Sequence, residues 1–568
     1  MKTNNNILNG YENTKLIRYD EISADFPNTI AFEDISNTTV KGVLKANRYV
    51  DGKLVQTFSG QENHLLTIAA TRQGKTTSCV VPMIVSFAMQ QIKRRMIISD
   101  PKGELYRLLS DLLRKEGYDV LLLNLRDYSH SEYWNPLTPI FRRYRKALCV
   151  ENEVEVVQTE KGPRNCLRGV VYASQSKLDD AVEQLKQLLL TDIDSEIDRL
   201  VYAIVPPDDS RDQYWNDASR QWAKAHIWAM LEDSTPTAGR TTITEDTFSF
   251  NTLFSIADSL TSDCDYDNYR YFSSRGVSSR AYNYARGVIE NAPNTRQCVI
   301  SCFNAKMQSY RNSTIRLITG CSSFEMERLT SGKPVAIFIS YPDETKVYYQ
   351  VISSFVQNAY AYLINYANEQ PSGQLEVPFY FILDEFGNFP KIVDFETVIS
   401  ACGGRNIWFD LVLQSFAQLE NVYGKNTAEI IRDNLNIHIF LGSNNPMTLD
   451  EFSRECGKMT RISPKSALNG SKDEMEQFEI ETIPVAPRSM LANLKPGECI
   501  VTEANCGYVM FSKMERYFLC DEYSFLQTSS EKDYHSTVNP LDKKYIYVPQ
   551  KQKKPKKATW DDFFDDED

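Results

Sequence analysis

Basic excess, histidine and paired cysteines are all scarce in this chain. Its 568 residues carry 63 Lys and Arg against 75 Asp and Glu, a formal net charge of −12. Coating nucleic acid by bulk attraction relies on a broad excess of Lys and Arg, so any contact with nucleic acid has to be local. The five histidines, His64, His130, His226, His438 and His535, include no two at metal-ligand spacing, which argues against histidine-centred chemistry. The 12 cysteines include no CxxC pair and are scattered, as at Cys79, Cys298 and Cys402. They read as reduced, buried thiols in a cytosolic compartment. Long apolar runs are missing too. The first 15 residues have no apolar core of signal-peptide type. The stretch from Cys79 to Gln91 is broken by Pro82, Ser86 and two glutamines, short of the ~18 apolar residues a membrane span needs. The expectation is a cytoplasmic chain with no membrane span of its own.

What is present is an ordinary globular composition, 42% hydrophobic and 24% charged, at a length that calls for two or more domains. Residues 1–60 read as a small β-rich segment, with alternation over Thr39 to Leu44 and Lys53 to Phe58. From His64 the pattern changes to short continuous apolar runs, HLLTIAA, MIISD and VLLLNL, which suit buried parallel strands. A second set follows later: VAIFISY (335–341), FYFILDE (379–385), IWFDLVLQ (407–414) and IHIFLGS (437–443). Between the sets, Lys177 to Thr191 and Trp215 to Glu232 repeat apolar residues three and four apart, as helices do, preceded by a hairpin pattern around Gly162-Pro163. The fold class is therefore α/β, one sheet interrupted by an inserted helical domain. The expected division is a discontinuous nucleotide-binding domain (61–137 and 333–525), a mainly helical insertion (138–332) and a flexible tail (526–568) that is basic, then acidic.

The chemistry sits at three strand ends. AATRQGKTT follows the strand HLLTI and precedes a helix pattern. Phosphate binding needs inward-pointing backbone N–H groups at a helix N-terminus, a lysine for the β and γ phosphates and a hydroxyl for Mg²⁺. Thr71, Arg72, Gln73, Gly74, Lys75, Thr76 and Thr77 supply that loop, although Ala69 stands where the pattern has its first glycine. FYFILDEF delivers two adjacent carboxylates after a buried run: Asp384 to hold Mg²⁺, with Thr76, and Glu385 to polarise the attacking water. Gln414 ends IWFDLVLQ, where it either senses the γ-phosphate or orients water, or else caps a helix that starts at Ser415. Arg405, in the loop CGGRN, has two readings: a donor of transition-state charge, within the subunit or across an interface, or a solvated loop cation. ATP and Mg²⁺ are the ligands this constellation calls for.

Five blocks, IISDPKGELY (97–106), EYWNPL (132–137), LDEFGNFPKI (383–392), VLQSFAQLENVYG (412–424) and IHIFLGSNNP (437–446), occur in the order found in VirD4/TraG type IV coupling proteins, which this sequence resembles from about residue 63 to about 515. The resemblance implies a RecA-like P-loop NTPase core bearing an inserted all-α domain. It also implies a homo-hexameric ATPase that links a relaxase-bound single strand of DNA to a secretion channel. Lys75, Thr76, Asp384, Glu385 and Gln414 fall at matching motif positions; Arg405 sits in a less distinctive loop. Most relatives begin with transmembrane helices. This chain is expected to reach the inner face of the membrane through a partner. Two other functions share parts of this pattern: an FtsK/HerA-like DNA pump, and a nucleotide-gated receptor for protein substrates.

Local basic patches offer places for DNA. FRRYRK (141–146) interleaves Phe141 and Tyr144 with cations, and Arg275, Arg280, Arg286 and Arg296 form a looser set. Phosphate contact with base stacking, or a solvated face, explains each equally. The tail KQKKPKKATWDDFFDDED is either a docking peptide anchored by Trp560 and Phe564 or a solubilising end.

Overall fold

All seven apolar runs form neighbouring parallel strands in the computed structural model, which describes residues 14–19, 21, 26–159, 162–206, 213–235, 243–261, 270–464 and 478–541. In spatial order they are Ile437–Gly442, Leu65–Ala69, Ile407–Leu413, Phe379–Leu383, Arg95–Ser99, Val335–Ser340 and Asp119–Asn124. Nearly every residue in them is buried, which explains why they read as unbroken apolar segments. Glu498–Glu503 and Tyr508–Lys513 extend one edge in antiparallel fashion, and Lys15–Arg18 completes ten strands by pairing in parallel with Tyr508–Phe511. The chain divides into two compact units: residues up to Glu132 with Ser323–Val538, and Tyr133–Ser322 with the residues beyond Asn539.

The first unit holds the ten-stranded sheet and a small antiparallel sheet of Thr29–Ala31, Lys53–Phe58 and Leu44–Val50. The alternation at Thr39 to Leu44 is mostly not a strand; pairing begins at Leu44 and turns at Asp51-Gly52, both in left-handed conformation, as a tight hairpin requires.

In the second unit, helices Gln175–Ile204 and Gln213–Asp233 bury Trp222, Ile227 and Trp228, and strands Val154–Thr159, Gly162–Leu167 and Val170–Val171 form the expected hairpin with one added strand. Here the stacking role of FRRYRK fails. Those residues lie on helix Thr138–Leu148, whose period turns Phe141 and Tyr144 inward against Phe248 and Trp228. Arg142 and Arg143 pair with Glu245 and Glu196. In the looser set Arg275 is buried on Glu232 and Asp233, Arg280 lies over Trp228 and Arg296 is buried, whereas Arg286 is exposed and pairs with Glu290 one turn along its helix. Cys79 and Cys402 are buried as expected, but Cys298 is exposed. The docking tail lies outside the described residues.

The segment after the last strand is tied back onto the sheet unit. Ser529 donates its backbone N–H to Arg107 (2.7 Å), Tyr534 donates its hydroxyl to Glu132 (2.5 Å), and Glu531 pairs with Arg107 at 3.6 Å. Glu531 also crowds Gly103, which turns the chain into helix Glu104–Lys115 at φ +69°. A Cβ on Gly103 would stand 1.8 Å from Glu531 Oε1. Gly103→Ala is therefore expected to destabilise the unit by about 1–3 kcal/mol, from backbone strain plus displacement of the Glu531 carboxylate. A urea midpoint equal to that of the unsubstituted protein would contradict this.

Candidate nucleotide site

The carboxyl edge of a parallel sheet is where strand-to-helix turns leave open space, and the candidate residues gather there. After Leu65–Ala69 the loop is pinned by Ala70 N–H to the Gly442 carbonyl (2.8 Å) and Gln73 N–H to the Ala70 carbonyl (3.1 Å). Arg72 (φ +68°) and Gly74 (φ +91°) curl it into a nest, the backbone form that presents N–H groups to an anion. The following helix opens with a wide turn, Lys75–Val80, in which Val81 N–H reaches the Thr76 carbonyl, and continues as Val81–Met89. Pro82 explains the widening, since it has no N–H for the regular bond to Ser78.

Thr76 Oγ1 donates to Asp384 Oδ2 at 2.7 Å. Burial pushes the Asp384 carboxyl above its usual range, while Lys75 and the Thr76 hydrogen bond oppose that shift. Lys75 Nζ lies 3.3 Å from Glu385 Oε1, without hydrogen-bond geometry and out of contact with solvent. A buried ammonium with one imperfect partner has unused donors, which suits phosphate oxygens; the Thr76 hydroxyl beside the Asp384 carboxylate is a hard-oxygen pair of the kind Mg²⁺ takes. Glu385 is in left-handed conformation (φ +57°), a strained backbone for a non-glycine residue of the sort found at functional turns.

Gln414 accepts from Thr71 Oγ1 at 3.2 Å, and its own N–H is taken by Gln418 Oε1 at 2.8 Å. Its side chain thus faces the phosphate loop, and Gln418 serves the following helix. Thr77 bonds its hydroxyl to the Gly74 carbonyl at 3.2 Å. Arg405 is elsewhere. It precedes strand Ile407–Leu413 while Gln414 follows it, so roughly 20 Å of extended chain separates them. It bonds Asn368 and the Ala401 carbonyl instead. The within-subunit role for Arg405 is excluded by this distance.

Three further residues belong to the site, two of which, Asp410 and Arg516, escaped the sequence reading. Lys102, from DPKGE, reaches Glu385 Oε1 at 3.5 Å. Asp410, buried beside Asp384 in the adjoining strand, has its carboxyl pushed well above the usual range by burial and then by Asp384; a lone aspartate inside an apolar run was its signal. Arg516 lies against Gly74 and left no local signal at all. Asp100 accepts Tyr106 N–H at 2.7 Å and shapes the turn; burial lifts its carboxyl to about 7.

Comparison with known proteins agrees with this geometry. The chain is 19% identical over 407 residues to Protein VirD4 of Rhizobium rhizogenes, covering 71% of this chain and 50% of that protein. It is 22% identical over 431 residues to the conjugal transfer protein TraG of Escherichia coli, covering 74% and 59%. The chain thus spans about half to three-fifths of the length of these relatives. Among solved structures, the bacterial conjugative coupling protein TrwBdeltaN70 in complex with sulphate superposes with a TM-score of 0.60 at 12% identity, covering 93% of this chain and 98% of that one. The plasmid coupling protein TrwB in complex with ADP and Mg²⁺ gives 0.57 at 13%, covering 90% and 96%. These likenesses bear out the fold, a RecA-like P-loop core with a helical domain. The family model described as Type IV secretory system Conjugative DNA transfer matches residues 27–484, and the chain belongs to that family.

Proposed function

We propose that this chain is the ATP-hydrolysing motor of a conjugative type IV secretion system, feeding single-stranded DNA from a relaxase complex to the channel. The observation that carries the reading is the convergence of Lys75, Thr76, Asp384, Glu385 and Gln414 at one sheet edge. ATP would bring its β and γ phosphates to Lys75 and the 70–77 backbone. Mg²⁺, held by Thr76 and Asp384, would neutralise charge on those phosphates.

Lys75 then exchanges Glu385 for phosphate, and Glu385 is left to orient a water and take its proton as the γ-phosphoryl bond breaks. Gln414, poised on Thr71, reads whether the γ-phosphate is present. In this proposal the active form is a homo-hexamer in which Arg405 meets the nucleotide of a neighbouring subunit. No helix among the described residues is long and apolar enough to cross a membrane, and the proposed route to the inner membrane face is a partner of the same system. Residues 138–332 would serve as the inserted domain and 61–137 with 333–525 as the motor.

Steady-state ATP turnover measured alone, with single-stranded and with double-stranded DNA tests the motor reading. The expected result is stimulation of several-fold or more by single-stranded DNA. Turnover that ignores DNA but responds to a secreted protein would replace the motor with a receptor.

A further inference from the structure

We propose that Arg516, supplied by the segment after the last strand, is a nucleotide-binding residue that grips the α-phosphate side of the ligand. The inference rests on the phosphate loop binding nucleotide, as argued above. A Cβ placed on Gly74 would lie 3.1 Å from Arg516 Nε, 3.1 Å from Ser78 Oγ and 3.3 Å from Thr77 Oγ1. The guanidinium therefore stands on the Thr77 side of the loop, whereas Thr76 and Lys75 turn toward Asp384 and Glu385. In a phosphate loop the Lys and first hydroxyl hold the β and γ end, so a cation beside the next residue meets the α-phosphate.

Arg516 is half-buried, and among the described residues no carboxylate pairs with it. A guanidinium has five donors in a fixed fork that matches phosphate oxygens. Its position is held. The neighbouring Glu515 N–H bonds the Asn47 carbonyl at 2.7 Å, Met514 N–H bonds the Gly497 carbonyl at 2.7 Å, and the short helix Tyr517–Leu519 packs on the first turn after Gly74. Phe518 and Leu519, within that short helix, are exposed.

Titration calorimetry on the full chain with Mg²⁺ and either ADP or a non-hydrolysable ATP analogue decides the matter. Arg516→Ala is expected to weaken both ligands about ten-fold, the loss of one charge-assisted contact, with Arg516→Lys recovering part of it. The melting temperature of the nucleotide-free protein is expected to stay within about 2 °C. Should the alanine variant not fold, Arg516→Gln removes the charge and keeps the stem, giving the same reading. Unchanged affinities would overturn the proposal. So would a loss confined to the ATP analogue, which would move the contact to the γ end. Failure of the unsubstituted protein to bind either nucleotide would bring down the phosphate-loop reading and this proposal with it.

Discussion

Replacing Glu385 by glutamine is expected to yield a protein that binds ATP and scarcely turns it over, with kcat lowered by about 10²–10⁴-fold. That range corresponds to about 3–5 kcal/mol of activation free energy. The substitution keeps the shape of a side chain that is only 14% exposed and removes its ability to accept a proton. It also removes the competitor for Lys75, which lies 3.3 Å from the carboxylate, and for Lys102 at 3.5 Å. ATP no longer has to draw Lys75 away from an anion, so its affinity should hold or rise. Equilibrium binding beside single-turnover hydrolysis separates the two effects. A variant that hydrolyses within three-fold of the unsubstituted rate would deny Glu385 the role of base.

Lys75→Ala should do the opposite, weakening binding first. The ammonium is cut off from solvent, meets its one carboxylate at poor geometry and has donors to spare. Its removal leaves Glu385 with Lys102 at 3.5 Å, but Asp384 loses the cation that opposes the upward push of burial on its carboxyl, so the empty protein is expected to melt somewhat lower. The loss of affinity appears on adding nucleotide, where one charge-assisted bond is worth about 1.5–3 kcal/mol, or roughly 10- to 150-fold in Kd. A ligand at 100 times its Kd stabilises by about 2.7 kcal/mol. The ATP-induced rise in melting temperature, taken from each protein's own nucleotide-free melting point, should therefore shrink by half or more in Lys75→Ala. An undiminished rise would remove Lys75 from the phosphate site.

The parallel strands were legible in the sequence because burial on both faces makes them short unbroken apolar runs, and FYFIL and VAIFIS are too short for a buried helix and rich in β-branched and aromatic residues. Asp384 and Gln414 followed, since each stands just after such a run, and Lys75 followed from the Gly-Lys-Thr pattern between strand Leu65–Ala69 and the next helix. What stayed hidden depends on distant packing. Phe141 and Tyr144 advertise stacking in sequence, and only the helix period shows that both turn inward. Arg405 and Gln414 bracket a single strand, and strand length alone places them at opposite ends. Arg516 reaches Gly74 from some 440 residues further along the chain, a distance over which no local pattern carries information.

The pairing of Lys15–Arg18 with Tyr508–Phe511 has a consequence for synthesis. These partners are separated by roughly 490 residues, and at about 5–20 residues per second a ribosome takes on the order of 25–100 s to make the interval. The first strand emerges early and waits, unpaired, until nearly the whole sheet exists. Completion of that edge comes late in synthesis, so a nascent chain stalled before residue 508 exposes a strand with no place in its own sheet, open to capture by chaperones or by its neighbours on a polysome.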